Sequence, residues 1–281
     1  MQPTRIGRTI IDENSSPVLI AGPCVIEDGN ETVRLAERIS ALPIAAKFVF
    51  IFKASYLKDN RSSGSSFRGP GLEEGLRILE RVRDAVGCPI LSDVHSVEET
   101  VAAADVLDVV QIPAFLCRQT SLLEAAGRLA RAVNIKKGQF LSPDGVGLAI
   151  EKVESAGGRN ILVTERGTTF GYNDLVVDFR GIPRMKTFGR PVIFDATHSL
   201  QRPGGLGDRS GGEPELAGAL SRAAAAIPCD GLFIETHFEP EKAKSDSASM
   251  LPFSRLEALL EGAYGVFDVV KRSRNVRAER P

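Results

Sequence analysis

Eight short apolar runs constrain what this chain can fold into more than any other feature. They are "PVLIAG" from Pro17, "KFVFIFK" from Lys47, "PILSDV" from Pro89, "DVVQI" from Asp108, "AVNIKK" from Ala132, "NILVTE" from Asn160, "PVIFDAT" from Pro191 and "GLFIETH" from Gly231. Each has the length of one strand, is rich in Val and Ile, and is bounded by turn residues. Between most of them lie patterns of helical period. Leu72, Leu76, Leu79, Val82 and Val86 recur every three or four residues, as do Leu256, Leu259, Leu260, Ala263, Val266, Phe267 and Val270. Ser96 with Glu99 three residues later predicts a capping box opening another helix. The interval from Arg166 to Arg190 is the exception, because Gly181 and Pro183 interrupt any helical pattern. Strand–helix alternation over 281 residues, close to the roughly 250 typical of the fold, predicts a (β/α)8 TIM barrel in one domain, residues 1–281. A doubly wound open sheet is the competitor; closure is favoured because every run reads as buried on both faces and none shows the charges of an edge strand. Residues 1–16 form an N-terminal extension, and residues 4–16 are expected to make a β-hairpin plugging the barrel's N-terminal end.

Charge excludes some functions. Lys and Arg (35) nearly balance Asp and Glu (36), so no global field draws the chain to nucleic acid or an anionic membrane. Any bound anion must be held by a local cluster. The N-terminal residues lack the apolar core of a signal peptide, and no run approaches the roughly 20 apolar residues of a membrane span, so a cytoplasmic location is expected. Cysteines at 24, 88, 117 and 229 form no CxxC pair and read as free thiols.

The C-terminal ends of the runs carry the chemistry. In order they offer Gly22 to Cys24, Lys53 to Ser55, Asp93 to His95, Gln111, Lys136 with Lys137, Glu165 with Arg166, Asp195 to His198, and Glu235 to His237. In a barrel these ends converge on one mouth. Lys53, Lys58, Arg61, Arg118, Lys136 and Arg166 form a cationic set suited to phosphate or carboxylate, and "KDNRSS" reads as an anion clamp. Because the cations fall in two groups along the chain, two anionic substrates fit as well as one. Cys24, His198, Glu235 and Asp246 come from one third of the rim and suit Zn²⁺, Fe²⁺ or Mn²⁺ better than Mg²⁺. On residue types alone, Cys24 also fits a small buried residue and His198 a hydrogen-bonded core residue, with His95 and His237 as alternative ligands. Cys88 and Cys229 lie near strand beginnings and read as packing residues. The glycine-rich stretch at 201–215 is expected to form a lid over the mouth.

Taken in order, "AGPC", "FKASYLKDNRSS", "FRGPGLEEGL", "SDVH", "QIPAFLCRQT", "NIKKGQFLSP", "ERGTTFGYNDLVVD", "PVIFDATHSLQ" and "GLFIETHFEPEKAKSD" resemble the 3-deoxy-D-manno-octulosonate 8-phosphate synthases. These transferases condense phosphoenolpyruvate with D-arabinose 5-phosphate and water during lipopolysaccharide precursor biosynthesis. The sister heptulosonate phosphate synthases, which use erythrose 4-phosphate, share the "GPC" start but carry Lys-Pro-Arg-Thr after strand two. Here Lys58, Asp59, Asn60, Arg61, Ser62 and Ser63 stand there, departing from the octulosonate pattern Lys-Ala-Asn-Arg-Ser-Ser only at Asp59. Cys rather than Asn at position 24 implies the metal-dependent form, with Cys24, His198, Glu235 and Asp246 as ligands.

The resemblance further implies that Lys136 and Arg166 hold the phosphate of phosphoenolpyruvate, and Lys53, Ser55 and Lys58 its carboxylate and reacting end. Asn60, Arg61 and Ser62 would face the sugar phosphate, while Asp93, Gln111, Pro113 and Ala114 line the pocket. Arg118 would reach a neighbouring subunit's site in a homotetramer. Lys58, Cys24, His198 and Asp246 are the expected catalytic residues. The competing readings are the heptulosonate reaction and a non-catalytic sugar-phosphate sensor, which would bind both ligands and release no phosphate.

Overall fold

The computed structural model describes residues 1–60, 66–202 and 211–278. Eight parallel strands form a closed ring: β1 (Val18–Gly22), β2 (Val49–Lys53), β3 (Ile90–Asp93), β4 (Val109–Ile112), β5 (Val133–Lys136), β6 (Ile161–Glu165), β7 (Val192–Asp195) and β8 (Gly231–His237). Each pairs with its sequence neighbours, and β8 pairs with both β7 and β1, which closes the barrel and removes every edge. The eight helices among the described residues are α1 (Gly29–Ser40), α2 (Leu72–Val86), α3 (Val97–Val106), α4 (Thr120–Leu129), α5 (Val146–Ser155), α6 (Gly181–Lys186), α7 (Ala217–Ala226) and α8 (Phe253–Ala278). The expected TIM barrel is the observed fold.

Side-chain alternation divides each strand between two cores. Leu19, Phe52, Ile90, Val110, Val133, Val163, Phe194 and Leu232 pack outward against the helices, in one large cluster with Leu35, Leu79 and Leu256. Val18, Ile20, Ile51, Leu91, Val109, Leu162, Ile193 and Phe233 fill the barrel's interior floor. Because both faces are apolar, Val and Ile dominate without alternation in the sequence.

The N-terminal extension closes that floor. Strands Thr4–Ile6 and Thr9–Ile11 form an antiparallel hairpin, and Ile6 and Ile11, almost fully buried, join the floor cluster. Each such burial stabilises by about 1.5–3 kcal/mol. The plug is the expected one.

Two helix starts depart from expectation in detail. Helix α6 lies in the interval where Gly181 and Pro183 argued against a helix. It lasts only six residues, and Pro183 sits in its first turn, where a missing N–H loses no intrahelical bond. At α3 the Ser96 hydroxyl accepts the Glu99 N–H as a capping box requires. The Glu99 carboxylate, however, takes the backbone N–H of His95, not that of Ser96.

Candidate active site

Counting on by two from the apolar floor places the mouth residues. Ile51 leads to Lys53 and Ser55, Leu91 to Asp93, Val109 to Gln111, Leu162 to Thr164 and Arg166, Ile193 to Asp195, and Phe233 to Glu235. The same parity splits two pairs that the sequence left together. Lys136 and Arg166 belong to the inner set, whereas Lys137 and Glu165 pair with each other at 3.4 Å. Lys137 also donates to the carbonyls of Gly138, Leu141 and Gly167 and to Thr168, and so ties down the loops after β5 and β6.

The seam between β8 and β1 holds the metal-type groups. The Cys24 Sγ lies 2.8 Å from Asp246 Oδ2, and ligand atoms of Cys24, Glu235 and Asp246 all fall within 4.8 Å of one another. His198 stands beside this trio, its Nε2 3.5 Å from Glu235 Oε2. That carboxylate oxygen is buried and accepts no hydrogen bond among the described residues. His95 and His237 are not in the group: His95 Nδ1 meets Glu99 at 3.0 Å, and His237 Nδ1 accepts from the Glu239 N–H.

Local backbone sets this geometry. A Cβ on Gly22 would lie 2.0 Å from the Lys53 carbonyl oxygen, at φ +156°, so only glycine permits the close approach that turns the chain toward Cys24. Asp246 has φ 49°, the one positive value of a non-glycine residue among those described. Asp tolerates this conformation, and the turn is held because the Asp246 carbonyl accepts the N–H groups of Ser249 and Met250.

The cations reach the mouth from β2, β5 and the end of β6. Lys53, 1% exposed, donates to Glu235 Oε1 at 2.5 Å and to the Cys24 carbonyl at 2.9 Å. Lys136 lies 2.7 Å from Asp195 Oδ2 and sits over the Phe233 ring, 3.8 Å from its centroid. Arg166 donates through Nη2 to Gln201 at 2.7 Å, while its buried Nη1 has no partner among the described residues. An unpartnered buried guanidinium nitrogen and an unpartnered carboxylate oxygen in one mouth are the expected marks of sites for an anion and a cation.

Asp195 organises the β7 end. Its Oδ2 also takes His198 Nδ1 at 2.7 Å, and its Oδ1 accepts from the backbone and hydroxyl of Thr197 and the backbone of His198. His198 therefore carries its proton on Nδ1 and turns the Nε2 lone pair toward Glu235, the arrangement of a metal-ligating imidazole.

Charge coupling agrees with this picture. Burial opposes ionisation of Glu235 and Asp195, yet the adjacent His198 ring and the surrounding lysines hold both carboxyls well below the usual range. Burial, then the carboxylates of Asp246 and Glu235, push the Cys24 thiol well above its usual range; a dication there would reverse that balance. Around half-buried Lys58, burial is outweighed by nearby negative groups, the carboxylates of Glu235, Asp93 and Asp246 among them, so its ammonium stays protonated at neutral pH.

The remaining expected site residues fall into three groups. Ser55, Asp93, Gln111 and Ala114 are buried at the mouth, with Pro113 half-buried beside them. Asn60 is exposed, and Arg61 and Ser62 lie outside the described residues. Arg118 is exposed in the loop after β4 and makes no side-chain hydrogen bond or ion pair with the cluster among the described residues. In the stretch expected to form a lid, Gln201–Arg202 pair antiparallel with Gly211–Gly212; residues 203–210 lie outside the described residues. Asn134, Thr164 and Gln201 were missed as site residues, although a polar residue inside an apolar run was a signal for the first two.

A family model described as the DAHP synthetase I family matches residues 2–271. The chain belongs to that family. Among curated members, the 2-dehydro-3-deoxyphosphooctonate aldolase of Geobacter sulfurreducens is 50% identical over 266 residues, covering 95% of this chain and 98% of the relative. The enzymes of the same name from Pelobacter propionicus and Trichlorobacter lovleyi are each 52% identical, over 95% and 90% of this chain and 98% and 93% of theirs. This DAHP synthetase I family member thus aligns over nine-tenths or more of its length with 2-dehydro-3-deoxyphosphooctonate aldolases, and all eight barrel strands and the metal-type trio lie within the residues 2–271 that the family model matches.

Proposed function

We infer that the protein condenses phosphoenolpyruvate with D-arabinose 5-phosphate and water to give 3-deoxy-D-manno-octulosonate 8-phosphate and inorganic phosphate. The observation that carries this reading is the near end-to-end likeness to 2-dehydro-3-deoxyphosphooctonate aldolases at about half identity. The heptulosonate reaction has support only at the level of the whole family. The whole chain is read as one catalytic unit.

C3 of phosphoenolpyruvate adds to the aldehyde carbon, water adds at C2, and the hemiketal phosphate expels phosphate by C–O cleavage. Lys136 and the free Nη1 of Arg166 bind the departing phosphate. Lys53, Ser55 and Lys58 hold the carboxylate end, and Lys58, kept protonated by its anionic neighbours, donates to the aldehyde oxygen as negative charge develops there. Asn60, Arg61 and Ser62 take the sugar phosphate, and Asp93, Gln111, Pro113 and Ala114 wall the cavity. Arg118, exposed in its own subunit, serves a neighbouring site in a homotetramer.

Cys24, His198, Glu235 and Asp246 are assigned to one divalent ion. A thiol beside two carboxylates, one with an orphaned oxygen, fits Fe²⁺, Zn²⁺ or Mn²⁺. Such an ion would supply Lewis-acid charge to the reaction.

Phosphate release assayed with five-carbon and four-carbon aldose phosphates tests the reaction; release with erythrose 4-phosphate alone refutes it. Chelation followed by separate add-back of Fe²⁺, Zn²⁺, Mn²⁺ and Mg²⁺ tests the ion, and full activity after chelation refutes it.

A further inference from the structure

Five inward-facing polar side chains on five consecutive strand ends form one hydrogen-bonded chain. The Thr164 hydroxyl donates to Asn134 Oδ1 at 2.8 Å, and Asn134 Nδ2 donates to Gln111 Oε1 at 2.7 Å. Gln111 Nε2 then donates to Asp93 Oδ1 at 2.5 Å, while Ser55 Oγ donates to the other oxygen, Oδ2, at 2.5 Å. All five residues are buried, and Asn134 and Thr164 are fully so.

The direction of this chain is fixed. A carboxylate only accepts, so Gln111 must turn its nitrogen toward Asp93 and its oxygen toward Asn134. Asn134 must then turn its own oxygen toward β6, where the Thr164 hydroxyl supplies a donor. Without that hydroxyl, the Asn134 oxygen is buried and unpaired; Asp93 still fixes which end of the Gln111 amide faces it, but Asn134, which holds the other end, is left with one hydrogen bond instead of two. Gln111 Nε2 carries two hydrogens and spends one on Asp93; no described residue takes the second. Gln111 is bonded to Asp93, and Lys53, Lys58 and Lys136 are near enough to Asp93 for their charges to hold it ionised, so the amide belongs to the same mouth as the cations read as the phosphoenolpyruvate site. An amide free to swing about its bond to Asp93 would no longer aim its second N–H at a bound anion.

We propose that Asn134 and Thr164 are positioning residues that hold the Gln111 amide with its N–H toward an anionic group of phosphoenolpyruvate. This rests on the phosphoenolpyruvate reading above. Neither residue touches substrate; they act through Gln111.

The test compares Thr164→Val, which deletes the hydroxyl at nearly constant shape, with Thr164→Ser, which keeps it. KM for phosphoenolpyruvate is expected to rise roughly tenfold in T164V, the effect of one hydrogen bond to a charged group, and to return in T164S. KM for arabinose 5-phosphate is expected to stay within about twofold, a split that general loosening of the barrel would not give. In a Gln111→Ala background T164V is expected to add nothing, because the residue it acts through is gone. If T164V does not fold, Asn134→Asp, which replaces the donor facing Gln111 by an acceptor, is expected to give the same selective rise. Unchanged KM for phosphoenolpyruvate, equal rises for both substrates, or additive losses in the double variant overturn the proposal. Wild-type enzyme that releases no phosphate from the two substrates overturns instead the reaction on which the proposal rests.

Discussion

Asp195→Asn is the perturbation that interrogates most of the site at once. The carboxylate is fully buried and takes five donors, three on Oδ1 and two on Oδ2. In the variant the Oδ1 position can remain a carbonyl and keep Thr197 and the His198 backbone. The other position becomes an NH₂ facing the Lys136 ammonium and His198 Nδ1. Lys136 then loses its 2.7 Å ion pair while still buried. Breaking one side of such a pair costs about 3–5 kcal/mol, which in a chain of this size lowers the melting temperature by about 5–15 °C. His198 must accept at Nδ1, so its proton moves to Nε2 and the lone pair assigned to the metal is lost. Removing such a supporting carboxylate reduces metal affinity by roughly 10–100-fold. The assay is paired: thermal melting with and without added Zn²⁺ or Fe²⁺, and metal content after dialysis against a competing chelator. A variant that keeps both wild-type metal retention and a melting temperature within about 1 °C of wild type would refute the assignment of His198 and the value given to the buried pair.

Other outcomes follow from the same geometry. Cys24→Ser is expected to abolish metal-supported turnover and to leave substoichiometric metal by elemental analysis, since serine offers no thiolate. Gly22→Ala is expected to destabilise by at least about 1–3 kcal/mol in urea titration and to weaken metal retention, because its Cβ collides with the Lys53 carbonyl. Burial lifts the Cys88 thiol to about 11 and the Cys229 thiol to about 12, so neither reacts with a disulfide reagent at pH 8 until denaturant is added. Asp93 is opposed by burial but held well below the carboxylate range by Lys53, Lys58 and Lys136. A depressed folded pKa stabilises above the unfolded value near 3.9 and is lost as pH falls below it, so Asp93→Asn is expected to flatten the stability slope between about pH 2 and 4.

The strands and their chemically loaded ends were legible because a barrel strand is short, Val- and Ile-rich, and stops at a turn. What the sequence concealed was parity. With both strand faces apolar, nothing in "NIKK" or "TER" says which of Lys136 and Lys137, or of Glu165 and Arg166, points inward. Packing of Leu162 and Phe233 on the floor settles that question, and it is a long-range fact. Asn134 and Thr164 went unread because strand propensity absorbs an isolated polar residue. The Glu99 carboxylate went to His95 because local capping competes with whatever donor the tertiary fold brings closer, here also the Tyr56 hydroxyl at 2.9 Å. The trio at Cys24, Glu235 and Asp246 was legible as a candidate from ligand type, and its proximity became certain only with ring closure between β8 and β1.

That closure has a consequence for biogenesis. Cys24 leaves the ribosome just behind β1, whereas Glu235 and Asp246 emerge more than 200 residues later. A nascent chain that has completed seven strands owns the thiol and the imidazole but neither carboxylate. Capture of an ion by the ligand set proposed above is therefore deferred until β8 and the turn at Asp246 have been made, and products that stop before β8 carry the cationic half of the mouth without either carboxylate.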